Sequence, residues 1–443
     1  MSASIIGRSL MMAALGLLLS ACGESGSSSP GSVDAAAQTP APGDSTVATP
    51  ENAGSANSGA GATNSGSSAG SGSGTGSGTT SSPAGFAYVA SASGMYCYAI
   101  DASDGGLQSL NTPLCDTGDL SAVATDPLGQ FVYAVAPGTG PVSGSMAGNV
   151  PGTVRTYQLD SSTGALTRLA PDVAAGMDPG SITVDPKGRF VYVVNSGADS
   201  VSAYAINAAT GALTAVPGSP FATGHMPNTV VIDPSGSFLY TADNGSDDVW
   251  GFAIDPSSGA LVVVPGSPFP TGNAVSITID PAGKFVFVAN LLTADVSAFT
   301  INHQTGTLSA VAGSPFSAGC TSPLQAQPGA AFGNACRLTS LAVDASGAFL
   351  YATGSSSNTI SGFSIDPSSG ALASLGGSPF TVAPWPYSVT ASGGFLYVSY
   401  NDVVGAISTY TIDPSSGVFT PVEGSNATVT AATGGTWGLA IAP

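Results

Sequence analysis

The strongest constraint on this chain is a repeat of roughly fifty residues or slightly fewer, which fills it from Phe86 to the C-terminus. One copy reads Ser181-Ile-Thr-Val-Asp185-Pro-Lys-Gly188-Arg-Phe190-Val-Tyr192-Val-Val-Asn195, continuing through Val201–Asn207 and Thr210–Val216. These are four alternating apolar runs separated by turn signals, hence four short strands, a to d. Strand b recurs as Phe86–Ser91, Phe131–Ala136, Phe190–Asn195, Phe238–Asp243, Phe285–Asn290, Phe349–Gly354 and Phe395–Tyr400. One such unit cannot bury its own apolar faces, so the copies must pack on each other.

The turns repeat as faithfully as the strands. Asp126, Asp185, Asp233, Asp280 and Asp344 open a–b turns; Asp101, Asp160, Asp255, Asp366 and Asp413 open c–d turns that end in Gly. Asp starts such a turn and Gly supplies the positive φ that ends it, so these ten acids are structural. Strand a precedes strand b in every repeat but the first, and the missing copy lies at the far end, Gly438–Pro443. The C-terminal strand is therefore expected to complete the N-terminal blade and close a ring without free sheet edges. The expected fold is all-β, a seven-bladed β-propeller of four-stranded antiparallel blades. Gly-Ser-Pro-Phe follows strand d at Gly218–Phe221, Gly266–Phe269, Gly313–Phe316 and Gly377–Phe380. Its Pro is expected to stop the outer strand and its Phe to fill the gap between blades.

Composition agrees with many short strands. Only 7% of residues are charged, while Gly numbers 60 and Pro 32. The net charge of −19 comes almost entirely from Asp, and no basic stripe exists, which excludes nucleic acid as a partner. No cofactor motif occurs, no metal is expected, and a monomer is expected. Asp243, Asp247 and Asp248 do not have the spacing of a calcium loop.

Residues 1–22 read as a processing signal. Arg8 is followed by an apolar run, Ser9–Leu19, too short to span a bilayer, which ends in Leu19-Ser20-Ala21-Cys22. This resembles the bacterial lipobox, which implies lipidation of Cys22, a membrane anchor through it, and, with Gly23 next, an outer-membrane lipoprotein facing the periplasm or the cell surface. Residues 23–83, rich in Ser, Gly, Ala and Thr, are expected to be a disordered tether, and residues 84–443 the propeller. An exported domain can hold disulfides, and sequence order pairs Cys97 with Cys115 and Cys320 with Cys336.

Tyr192-Val-Val-Asn195 and Phe287-Val-Ala-Asn290, set after Asp-Pro-x-Gly turns, are similar to the Tyr-Val-Thr-Asn repeat. The pattern from Phe86 to Pro443 resembles the seven-bladed lactonase-like propellers, which include 6-phosphogluconolactonase and carboxymuconate cyclase. That resemblance implies ligands at the face where b–c turns and d–a loops meet. Alignment of the repeats places Asp178, His225, Met226, Asn228, Asn273, Arg337, Trp385, Tyr387 and Trp437 at that mouth, with Asn195, Asn244, Asp247, Asp248, Asn290 and Asp402 from the b–c turns. The expected ligand surface is Trp385, Tyr387, Trp437, Arg337, His225 and Asn228, since aromatics with a few polar groups hold sugars and similar amphipathic ligands. His225 and Arg337 are the candidate catalytic residues. The first functional expectation is a binding module for a small molecule, glycan or protein. The alternative is a lactonase-type hydrolase or isomerase acting on an unphosphorylated lactone or sugar derivative, because several cations are needed to hold a phosphate. Two insertions, Pro137–Gly152 and Ala318–Cys336, are placed on the same face.

Overall fold

The computed structural model describes residues 83–442 except 111–114, 139–149, 321–335, 402–405, 425–426 and 429–435. The lipobox, the tether and most of both insertions lie outside the described residues, as does Asp402.

Turn chemistry sets the strand boundaries. The buried carboxylates of Asp126, Asp185, Asp233, Asp280 and Asp344 accept the backbone N–H of the Phe that opens each strand b, for instance Phe131 at 2.8 Å and Phe190 at 3.0 Å. Arg189 pairs with Asp185 at 2.8 Å. In the c–d turns, Asp101, Asp160, Asp255, Asp366 and Asp413 accept both the N–H and the hydroxyl of a Ser two residues on. The turns foreseen in the sequence are thus made by the residues foreseen for them.

The strands form seven antiparallel sheets, each ordered d-c-b-a. Blade 1 takes strands b to d from Gly85–Ser91, Gly94–Ile100 and Leu107–Ser109, and its strand a from Thr436–Ala442. Blades 2 to 7 follow at 122–174, 179–222, 227–270, 274–317, 338–381 and 386–428. The ring closes as the repeat implied: Phe86 pairs with Ala442 and Val89 with Leu439. Thr125 Oγ1 of blade 2 donates to Ile441 O at 3.0 Å across the seam. Cys97–Cys115 and Cys320–Cys336 are the two disulfides, with Cα–Cα distances of 6.1 and 5.7 Å.

Alternate faces of each sheet pack on opposite neighbours. Phe190, Tyr192 and Val194 of blade 3 meet Leu239, Phe252 and Ile254 of blade 4 in one apolar layer. A second device holds adjacent blades together. The strand-b Tyr of one blade donates its hydroxyl to the c–d turn Gly carbonyl of the next: Tyr88 to Gly164, Tyr133 to Gly211, Tyr192 to Gly259, Tyr240 to Gly306, Tyr351 to Gly417, and Tyr397 to Gly105 across the seam. The Phe that opens strand b lies against the same Gly. A Cβ on Gly259 would sit 2.5 Å from the Phe190 ring, on a residue whose φ is +78°. Glycine is required there for both the φ and the contact.

The Gly-Ser-Pro-Phe motif corrects one expectation. It interrupts the outer strand rather than ending it. In blades 3 to 6 a two-residue strand beginning at Phe221, Phe269, Phe316 or Phe380 resumes pairing with strand c. Pro has no N–H to give a ladder, and the break strands one N–H of strand c. The motif's Ser hydroxyl accepts it: Ala203 to Ser219, Gly251 to Ser267, Ala298 to Ser314 and Gly362 to Ser378, all at 2.9–3.0 Å. The Phe does reach across blades: Phe380 meets Phe419 of blade 7 edge-on at 4.8 Å.

Candidate functional site at the propeller mouth

In blades 4, 5 and 7 the residue ahead of strand a is clamped twice. Its carbonyl accepts an N–H from the b–c turn of its own blade: Asn244 to Met226, Leu291 to Asn273 and Asn401 to Trp385, and likewise Ser355 to Arg337 in blade 6, at 2.8–3.1 Å. The b–c turn of the preceding blade grips it from the other side. Asp199 accepts Met226 N–H at 2.8 Å, Asn358 accepts Trp385 N–H at 3.0 Å, and Asp247 accepts the Asn273 amide at 2.7 Å. Four of these lip residues, Asp178, Met226, Arg337 and Trp385, have φ between +49° and +61°. Non-glycine residues hold this left-handed conformation only when the surroundings impose it, and such residues cluster at functional sites.

Arg337, Trp385 and Tyr387 are brought to adjacent positions. Arg337 precedes strand a of blade 6, Leu338–Val343, and Trp385 precedes that of blade 7, Pro386–Ser392. The two strands are tied by Thr339 Oγ1 donating to Tyr387 O at 2.8 Å. Trp385 is 50% exposed. Arg337 is half-buried, and burial pulls its guanidinium below the usual range. Burial likewise raises the Tyr387 phenol. Cys336, immediately before Arg337, is buried and disulfide-bonded, which fixes the backbone beneath Arg337. The backbone of Trp437 lies in the closing strand Thr436–Ala442, whereas its side chain lies outside the description.

His225 stands two blades away and is not joined to Arg337 by a hydrogen bond. It pairs instead with Asp199, whose carboxylate oxygens lie 3.0 and 3.2 Å from Nδ1. The imidazole is 53% exposed. Asp199 was not singled out in the sequence: it lies 26 residues upstream on blade 3, and only the blade stacking brings it to His225. Asn228 is spent on the scaffold, its amide donating to Val275 O of the next inner strand. Asn195 and Asn290 are also structural. Each caps a d–a loop through Gly176 or Gly272 N–H and donates its amide to hydroxyl or carboxylate groups on strand c. Among the described residues no group of three or more His, Cys, Asp or Glu is arranged to hold a metal ion.

The architecture and the ligand-side mouth define a seven-bladed propeller of the lactonase class. Residues 150–278 and 319–433, more than half of the chain, match the family described as "Lactonase, 7-bladed beta-propeller". The chain belongs to this family. Among solved structures it is similar to the periplasmic gluconolactonase PpgL of Pseudomonas aeruginosa, with 19% identity over 81% of this chain and 99% of that one and a TM-score of 0.65. It is also similar to candidate 6-phosphogluconolactonases from Bacteroides uniformis (18% identity, 80% and 98% covered, TM-score 0.65) and Bacteroides fragilis (20% identity, 82% and 99% covered, TM-score 0.64). At these identities the likeness is one of fold. No curated protein matches the chain.

Proposed function

We propose that this chain is a lactone hydrolase of the bacterial cell envelope, acting at the mouth on an unphosphorylated sugar lactone. The observation that carries the reading is the His225–Asp199 pair on the mouth of a lactonase-family propeller. Opening a lactone requires removal of a proton from water, support for the oxyanion, and a proton for the departing ring oxygen. His225 Nε2 takes the proton from water. Asp199 at Nδ1 holds the matching tautomer and stabilises the imidazolium. Arg337 supports the oxyanion, with its charge less screened than on an open surface. The imidazolium returns its proton to the ring oxygen as the C–O bond breaks, giving a hydroxy acid. Trp385 offers a flat apolar face for the sugar ring. Arg337 alone is too little for a phosphate. The gluconolactonase among the structural relatives points toward the same class of substrate.

The test is hydrolysis of unphosphorylated and 6-phosphorylated aldonolactones by the purified chain, measured as proton release above the spontaneous rate. Turnover of the unphosphorylated series that falls by about 100-fold or more in His225→Ala and in Arg337→Ala is expected. A chain inert on every lactone sinks the reading. The exposure of Trp385 favours a second reading, a glycan-binding module, and binding that is lost in Trp385→Ala without turnover would establish it. We further propose that lipid on Cys22 anchors the domain to the outer membrane; Cys22→Ser should abolish palmitate labelling and release the chain from membranes.

A further inference from the structure

Blade 4 breaks the repeat at three positions on one face of its sheet, beneath the loop that carries His225. Where blade 3 has Val193, Asn195 and Ser202, and blade 5 has Val288, Asn290 and Ser297, blade 4 has Thr241, Asp243 and Trp250. Asn195 and Asn290 each accept a loop N–H through Oδ1 and donate through the amide to strand c. Asp243 keeps only half of that pattern. Its Oδ2 accepts Gly224 N–H at 2.7 Å, while Oδ1, in a residue with no solvent exposure, has no hydrogen-bond partner. Directly across the ladder stands Asp248. The two carboxyl groups converge on one point: a Cβ on Gly224 would lie 2.6 Å from Asp243 Oδ2 and 2.9 Å from Asp248 Oδ1. No described Lys or Arg forms an ion pair with either, and the neighbouring charges are the further acids Asp199 and Asp247, with His225 on the loop above. Ser246 links the parts, accepting His225 N–H at 3.1 Å and donating to Asp248 Oδ1 at 2.8 Å.

A fully buried carboxyl beside a second carboxyl, with no Lys or Arg paired to either, favours its neutral form. We propose that Asp243 is a positioning residue held as the neutral carboxylic acid, its proton standing where the sister blades place an Asn amide, and that its titration is coupled through the Gly224 N–H to the Gly224–Met226 loop that carries His225. The assignment of the proton to Asp243 follows from burial, since Asp248 is partly exposed. Desolvation, with Asp248 and Asp199 adding to it, raises the Asp243 carboxyl to about 7 against the bond from Gly224. The titration therefore falls in the neutral range. As a reading of the catalytic loop this rests on the lactonase proposal, but the protonation state does not.

The experiment follows the Gly224 amide and the His225 ring by NMR across the neutral range in the full chain, beside the pH profile of kcat/KM. The chain has only two His, so the His225 signals can be assigned by a single variant. In the wild type the Gly224 amide is expected to titrate near neutrality. In Asp243→Asn, which restores the sister-blade residue, that titration should vanish; in Asp248→Asn it should move to lower pH, since a negative neighbour is removed. If the chain turns over lactones, wild-type kcat/KM should change through the same midpoint as the Gly224 amide, and that step should vanish in Asp243→Asn. A Gly224 amide that is flat across the range, or that titrates unchanged in Asp243→Asn, overturns the proposal. Loss of turnover with a titrating Gly224 overturns only the lactonase reading.

Discussion

A single phenol oxygen per blade closes six of the seven junctions of this ring, and one junction lacks it because blade 5 carries Phe287 where the others carry Tyr. Removing the hydroxyl in Tyr192→Phe leaves the buried Gly259 carbonyl without its donor at 2.9 Å, and should cost about 1–2 kcal/mol in denaturant unfolding. The reverse change, Phe287→Tyr, supplies the missing bond to Gly370 and should raise stability by up to about 1 kcal/mol. A loss of stability in Phe287→Tyr would show that the blade 5–6 junction is packed differently from the other six. The turn acids set the pH response in the same residue-by-residue way. Asp255, Asp366 and Asp413 are exposed, and the hydroxyls and N–H groups of the following Ser residues hold their carboxyls down at about 2. A depressed folded value means their contribution is present above the ordinary 3.8 and is lost as pH falls through about 2. Asp243 runs the other way: its contribution is complete below 3.8 and declines as pH rises toward about 7. Thermal unfolding should therefore show greatest stability near pH 4, about where these two trends meet. Asp243→Asn should flatten the decline toward neutrality and leave the acid side unchanged.

At the scale of elements, what could be read in advance was whatever is local. Strand order, the a–b and c–d turns and both disulfides follow from residues within or beside one repeat, and the split first blade from comparing the repeats at the two ends of the pattern. The Tyr–Gly junction was also written in the chain, as a Tyr at the third position of strand b and a Gly some 66–78 residues later, but its meaning needs the next blade in place. Asp199 was missed for the same reason, and so was the Ser of Gly-Ser-Pro-Phe, whose partner N–H is exposed only because the Pro breaks the ladder. Asn228 was misleading: a polar side chain at the mouth looks available until the neighbouring inner strand consumes it. The Cys320–Cys336 bridge belongs to this local class and has a consequence at the site. It spans 16 residues and ends beside Arg337. Replacing both Cys with Ser should lower stability by about 3 kcal/mol on the chain-entropy estimate. Because Cys336 anchors the backbone under Arg337, the same variant should weaken ligand or substrate binding at the mouth, read as a higher Kd or KM. A variant that loses stability with binding intact would separate the bridge from the site.

A ring differs from a stack of blades in that its last contact holds all the others. Deleting Thr436–Pro443 removes strand a of blade 1, so Gly85–Ser91 loses one of its two ladders and becomes an open edge. The same deletion removes buried Ala442, the partly buried Leu439 and Ile441, and the bond from Thr125 to Ile441 O that carries the seam into blade 2. The remaining seam is the latch from Tyr397 to Gly105, Phe395 against that same Gly, and the apolar layer of Val89, Tyr96, Tyr98 and Leu107 against Tyr397 and Ile407. That layer loses Leu439 and Ile441 from its inner edge, and the latch hydroxyl, worth about 1 kcal/mol, cannot replace the ladder of a whole inner strand. An unpaired seven-residue edge of buried side chains, Phe86–Val89 among them, also offers a template for a second chain. The truncated protein should therefore be recovered as aggregate or as oligomers on size exclusion, and any soluble fraction should unfold at lower denaturant with a shallower transition than the intact chain. If closure acts through strand pairing and not through the sequence end as such, adding the excised segment Thr436–Pro443 as a free peptide should restore monomer in proportion to its concentration. Truncation that leaves the unfolding midpoint unchanged would mean that the ring is held by its blade junctions alone.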